Sequence, residues 1–235
     1  MLVERLIDKL EKKGLKPNVL LFQECRMPIK SEAKIPGYNL AVYVNTKPSV
    51  RGTAIYVKSG TSYTQLTVNS QDICGVTILG DQHTVLKKPI DIWNVYNAPT
   101  IRQTEINLPI IQDIIANSHN PTLMAGDMNT DLTPGARHDA GTRLRTQLLE
   151  WDENGTVEIL NSYTKPTRIS ARRSTIIDIA ITKNITTGKF ALPIIEDISD
   201  HLPLIIGFKS RDNEPESNLP PQHISYKRDE KLLRN

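Results

Sequence analysis

Polar side chains able to do chemistry gather where short apolar runs stop. Val19–Phe22 is followed at once by Gln23 and Glu24. Ile90–Tyr96 ends in a phenol, with Asn97 beside it. Thr122–Ala125 leads through Gly126 into Asp127 and Asn129, and Ser199, Asp200 and His201 stand just ahead of Leu204–Phe208. Sites assemble at such strand ends, because a packed frame holds loop side chains in place. Glu24, Asp127, Asn129 and Asp200 are hard oxygen donors. With one imidazole and no paired thiols, they suit Mg²⁺ or Mn²⁺ better than zinc.

Each group also has a plainer use. Glu24 could be a solvated loop acid and Tyr96 a core ring with its hydroxyl satisfied. Asp127 and Asn129 could simply form a turn. Asp127, Asn129 and Asp131 copy the first ligands of an EF-hand loop. That reading fails at Leu132, where the loop needs glycine, and at His138, where it needs a bidentate glutamate. Ser199, Asp200 and His201 cannot form a serine-protease relay by adjacency alone. The sequence holds no Gly-rich phosphate loop, no CxxC pair and no HExxH.

The elements that must carry these residues are mostly strands. Apolar runs bounded by turn residues predict strands at Val19–Phe22, Tyr38–Val44, Thr53–Val57, Val76–Leu79, Ile90–Tyr96, Thr122–Ala125, Val157–Leu160, Ile176–Thr182 and Leu204–Phe208. Helical spacing predicts helices over 1–13, about 102–117 and about 139–151, with Pro109 kinking the second or delaying its start. Many strands and few helices, without strict alternation, point to an α/β sandwich of mixed sheets rather than a doubly wound parallel sheet.

The chain has 235 residues, 38% hydrophobic and 23% charged, which suits a globular fold and excludes wholesale disorder. A net charge of +3 favours no partner by itself, so local patches must decide. No apolar run approaches the ~20 residues of a membrane span, and no secretory signal opens the chain, which leaves little use for the sequons at Asn154 and Asn184. Two cysteines, Cys25 and Cys74, make no disulfide framework and suit a reducing compartment. After Phe208 the composition becomes that of a linker, so residues 1–209 read as one domain and 210–235 as a tail.

Taken in order, the segments QE, VYNAP, GDMN, STIIDIAI and SDH resemble the endonuclease/exonuclease/phosphatase superfamily. That family includes pancreatic deoxyribonuclease, exonuclease III-like apurinic endonucleases, inositol polyphosphate 5-phosphatases and neutral sphingomyelinases. Arg51–Lys58, His138–Trp151 and Lys165–Thr182 look like the matching segments of endonuclease domains from LINE-type (non-LTR) retrotransposons of the Jockey- and I-like groups. ISYKRDEK, near the end, looks like the junction leading to their reverse transcriptase domain.

The resemblance implies a four-layered sandwich of two mixed β-sheets flanked by helices. It implies a Mg²⁺-dependent nuclease (Mn²⁺ being a possible substitute) that nicks target DNA for retrotransposition, with the nucleus as its place of action. Glu24 would be the main metal ligand, and Asp200 would complete the metal or water shell. Asp127 would orient or deprotonate the attacking water, with Asn129 beside it. Tyr96 would donate its hydroxyl to the scissile phosphate. His201 would contact the phosphate, with Asp178 fixing its imidazole; His201 and Asp127 remain alternatives for general base. Thr167, Arg168, Arg172, Arg173 and Ser199 would face DNA, joined by Arg137, Arg143 and Arg145 as phosphate contacts.

One departure stands out. Family members open with a strand ending in an asparagine ahead of the first helix, whereas Met1 falls inside that helix here. The resemblance therefore implies that the first strand is missing, in a fragment of a longer reading frame or in a decayed copy. The competing functions are an apurinic-site repair endonuclease of the same fold, a phosphatase acting on inositol phosphates or sphingolipids, and a catalytically dead DNA-binding module.

Overall fold

The computed structural model describes residues 2–25, 34–45, 52–80, 88–136, 139–186, 188–195 and 199–209. Arg51, Arg137, His138 and the tail from 210 lie outside the described residues. In chain order the elements are α1 (Leu2–Lys12), β1 (Val19–Cys25), β2 (Tyr38–Val44), β3 (Gly52–Lys58), β4 (Tyr63–Leu66), β5 (Ile73–Ile78), β6 (Ile90–Tyr96), α2 (Ile101–Asn117), β7 (Thr122–Asp127), α3 (Thr142–Glu153), β8 (Glu158–Ile159), β9 (Arg168–Ile169), β10 (Ser174–Thr175), β11 (Asp178–Lys183), β12 (Gly188–Pro193) and β13 (Leu204–Lys209).

A six-stranded sheet, ordered β4-β5-β6-β7-β11-β8, is the centre of the molecule. It is antiparallel except between β6 and β7, whose parallel pairing follows from the α2 crossover between them. Side chains alternate across its faces. Trp93, Val95, Met124, Ile179 and Ile181 pack against Ile111 and Ile115 of α2 and Leu144 and Leu148 of α3. From the opposite face, Ile90, Ile92, Leu123, Ala125 and Ala180 meet Ile55 and Val57 of β3, with Leu21, Leu204 and Ile206 packed alongside. A third cluster lies on the far side of the small sheet, where Ile7 of α1 covers Ala54 and Tyr56. The layers are thus helices, large sheet, small strands and helix.

The expected second mixed sheet takes a different form. It consists of an antiparallel sheet ordered β1-β3-β2 and a separate antiparallel pair, β12-β13. Among the described residues β1 is an edge of its sheet. β4 and β12 were not foreseen, because Tyr63–Leu66 is short and polar and Gly188–Pro193 is only half-buried. α2 begins at Ile101, ahead of Pro109, and runs through it. Thr100 caps this helix by accepting from the Gln103 amide. Ile176 and Ile177, expected as strand, lie outside β11 because their amides turn to the side chains of Asp131 and Thr167.

Gly126 carries the site into position. Its φ of +147° disfavours any L side chain, and a methyl group there would collide with the Val95 carbonyl of the neighbouring strand. Gly126→Ala is expected to cost about 3 kcal/mol or more of stability, read by urea unfolding; a loss under about 0.5 kcal/mol would contradict the close approach of β6 and β7.

Candidate active site

Strand register gathers the chemistry. Tyr96 on β6 pairs with Asp127 on β7, and Asp127 pairs with Asp178 on β11. Register partners on adjacent strands point to one face, so a phenol and two carboxylates form a row across the sheet. That face also carries Ala125 and Ala180, so the row looks toward β1 and β3. β1 carries one extra residue relative to β3 between Phe22 and Cys25, a β-bulge, and Glu24 lies within it at φ +56°. The Tyr96 hydroxyl donates to Glu24 Oε1 at 2.7 Å.

Asp127 is only 5% exposed. The Asn129 amide donates to one carboxylate oxygen and Asn129 Nδ2 to the other, each at 3.0 Å. Asn129 reaches both from φ +45°, a left-handed conformation that asparagine tolerates. Burial, then the charge of Asp178 and more weakly that of Glu24, pushes the Asp127 carboxyl up to about 7. His201 and the Asn129 amide relieve this only in part.

His201 comes from the far end of the chain. An isolated bridge pairs it with Arg168, and its Nδ1 lies 3.0 Å from both oxygens of Asp178. The hydrogen bond to Asp178 raises the imidazole pKa above its usual value, against the opposing effect of burial. Ser199 Oγ accepts from the His201 amide and so shapes the turn that delivers the ring.

The other expected site residues divide. Arg172 and Arg173 sit exposed at the tip of the β9–β10 hairpin. Arg168 is held by Asp200, with Nε to Oδ2 at 2.8 Å, and this bond keeps the Asp200 carboxyl below the usual range. Asp200 is thereby turned to Arg168, and the group of Asp127, Asp178 and His201 that could hold a metal does not include it. Thr167 is fully buried. Its hydroxyl accepts from the amides of Ile177 and Asp178 at 3.0 and 2.9 Å, which fixes the start of β11. Arg143 leans toward Glu105 of α2, and Arg145 donates to the Ala136 carbonyl. Cys25 and Cys74 are free, and burial pushes their thiols up to about 11 and about 12, so neither is a ready nucleophile.

Sequence reasoning did not assign Asn97, Thr104 and Asn107 a role in the site. Buried Asn97 donates to Thr104 Oγ1 and to the Met128 carbonyl and accepts from Asn107 Nδ2, which braces the loop behind Asp127. The signal was an asparagine just past a strand, facing two polar residues three apart on the next helix.

Asp127, Asp178 and His201 each offer a ligand atom, and these atoms lie within 4.8 Å of one another. Buried, mutually repelling oxygen donors with one imidazole fit Mg²⁺ or Mn²⁺. Glu24 adds a further carboxylate close enough to be felt by Asp127.

Residues 90–205 match the family model described as endonuclease-reverse transcriptase. Among solved structures, the chain is similar to the endonuclease domain of TRAS1, a telomere-specific non-LTR retrotransposon, at 18% identity with a TM-score of 0.64, covering 88% of this chain and 92% of that one. It is also similar to an endonuclease/exonuclease/phosphatase family protein from Leptotrichia buccalis, at 13% identity and a TM-score of 0.57 with the same coverages. A third similar structure, from Beutenbergia cavernae, shows 12% identity and a TM-score of 0.51, covering 86% of this chain and 64% of that one. No curated protein matches the sequence.

The raised carboxyl has a signed consequence. Asp127 binds its proton more tightly folded than unfolded, so its contribution to stability falls as pH rises between the usual 3.8 and about 7. In EDTA, urea unfolding of the wild type should show this fall, and Asp127→Asn should flatten it. Mg²⁺ at neutral pH should restore stability to the wild type and less to the variant. Identical pH slopes for the two proteins would contradict the assignment.

Proposed function

We propose that the chain, similar in fold and over residues 90–205 to endonuclease/exonuclease/phosphatase proteins, hydrolyses phosphodiester bonds of DNA with the help of Mg²⁺, nicking target DNA for retrotransposition. The observation that carries this reading is the row of Tyr96, Asp127 and Asp178 on one sheet face, completed by the His201–Asp178 pair. Attack on a phosphodiester needs an oriented water, relief of charge on the non-bridging oxygens and help for the leaving oxygen.

The residues divide that work. Asp127, poised near neutrality and held at both oxygens by Asn129, orients water and accepts its proton. His201, its pKa raised by Asp178, is the better cation; it faces the phosphate and balances charge as the bond breaks. This division favours Asp127 over His201 as general base. Glu24, gripped by the Tyr96 hydroxyl, is the exposed acid at the mouth of the cluster and would hold Mg²⁺ together with Asp127 or Asp178. When bound, the cation supplies charge neutralisation at the phosphate oxygens. Tyr96 holds Glu24 through its hydroxyl, and a Glu24 engaged with a cation would leave that hydroxyl to the phosphate.

Arg172 and Arg173, exposed on the hairpin whose strand β9 bridges to His201, suit phosphate contacts that set register and affinity without reading sequence. The likeness to a retrotransposon endonuclease domain, and a family model whose description joins endonuclease to reverse transcriptase, support a reverse transcriptase domain as partner. The nucleus as place of action is part of the same proposal and follows from nicking target DNA there.

The test is nicking of supercoiled plasmid by the purified chain. Nicking should require Mg²⁺ and stop in EDTA. His201→Ala should slow it at least about 100-fold while DNA affinity stays nearly unchanged. Nicking that persists at the wild-type rate in His201→Ala would sink the assignment.

A further inference from the structure

The bulge that presents Glu24 must itself be held, and one buried side chain does this from the opposite sheet. Asn94 lies on β6 two residues before Tyr96, on the same face, and is fully buried. Its Nδ2 donates to the Phe22 carbonyl at 2.9 Å and to the Ala54 carbonyl at 3.0 Å. Its Oδ1 accepts from Gln23 Nε2 at 2.6 Å. Phe22 and Ala54 are the last register partners of β1 and β3 before the bulge, and Gln23 is the next residue along. One primary amide thus binds both strands at the point where their ladder breaks, immediately before Glu24.

Ordinary packing does not account for this arrangement. On the same face of β6 the preceding positions are Ile90 and Ile92, which make apolar contacts with the small sheet. An asparagine in that series forgoes apolar burial and spends both amide protons on carbonyls of another sheet. Tyr96, the next residue on that face, then holds the Glu24 carboxylate. Backbone and side chain of the same acid are therefore fixed by neighbouring positions on one strand, and Glu24 keeps its left-handed φ of +56°.

We propose that Asn94, clasped by Gln23, is a positioning residue that holds the β1 bulge and thereby aims Glu24 at the metal held by the Asp127–Asp178 cluster. The inference rests on the metal-dependent reading above and deepens it. Asn94 touches neither metal nor DNA. Its loss should weaken cation binding and turnover and leave DNA binding alone, as outer partners of metal ligands do.

The test compares the wild type with Asn94→Leu, which keeps the branched shape but loses both donors, and with Asn94→Gln, which keeps them on a longer stem. Gln23→Met, which removes only the clasp, decides the matter if Asn94→Leu does not fold. Mn²⁺ binding is followed by the electron paramagnetic resonance of the free ion, folding by thermal unfolding, and plasmid nicking by kcat and KM. Asn94→Leu should bind Mn²⁺ about 10-fold more weakly or worse and lose about 10- to 100-fold in kcat, with KM for DNA within about twofold of wild type. Gln23→Met should show a smaller loss of the same kind, and Asn94→Gln should recover part of it. Folded Asn94→Leu or Gln23→Met with a lowered melting temperature but wild-type Mn²⁺ affinity and kcat would overturn the proposal, because a merely structural amide gives that result. If the wild type binds Mn²⁺ yet cuts no DNA, the nuclease reading fails, while the Mn²⁺ comparison still decides the role of Asn94. A wild type that binds no Mn²⁺ overturns both.

Discussion

Two buried carboxylates face each other across one rung of an antiparallel ladder, and the rest of the site is arranged around their repulsion. Asp127 and Asp178 are register partners at the adjoining ends of β7 and β11. Like charges held this way out of water raise each other's energy unless something compensates. Asn129 compensates Asp127 with two hydrogen bonds, and His201 compensates Asp178 with an imidazole set against both oxygens. What remains uncompensated at Asp127 keeps its carboxyl raised, and the charge of Glu24, from the other sheet, adds to it. A structure that tolerates such strain at a strand end is the usual mark of a functional site rather than of a stable core.

The arrangement explains why apparently unrelated features of the fold occur together. Gly126 lets β7 approach β6 closely enough for Tyr96 and Asp127 to share a rung. The parallel β6–β7 pair places the ends of both strands on one edge, and the antiparallel β11 begins there. Thr167 then serves both partners of the dyad. Its hydroxyl fixes the amide of Asp178, and its carbonyl accepts from the amide of Leu202, next to His201. The hairpin that carries the exposed arginines is thus anchored by the same buried residue, through its hydroxyl at Asp178 and its backbone carbonyl at Leu202, that sets the acid–imidazole pair.

Much of this was legible in the sequence. Apolar runs located most of the strands, because a buried strand needs little beyond hydrophobic β-formers between turn residues. Glu24, Tyr96, Asp127, Asn129 and His201 stood out as polar groups at the ends of those runs, and the structure gathers them. Asp178 carried no local signal of its own, since it sits inside an apolar run, and only the resemblance singled it out. Partners far along the chain were not legible: Asp200 holds Arg168, and the Thr167 hydroxyl sits under the amides of Ile177 and Asp178. Asn94 was invisible for the same reason: its partners are carbonyls on another sheet, 40 and 72 residues away along the chain. β4 and β12 were missed because half-exposed edge strands carry little hydrophobic pattern.

The central claim is that this cluster holds a divalent cation against a DNA phosphate. The most direct test is single-turnover cleavage of a DNA carrying one phosphorothioate at the scissile position, in Mg²⁺ and then in Mn²⁺, beside the unmodified strand. Sulfur binds Mg²⁺ poorly and Mn²⁺ better. The account predicts that sulfur slows cleavage in Mg²⁺ and that Mn²⁺ restores it. Cleavage that responds to sulfur equally in both ions, or that proceeds in EDTA, would contradict it.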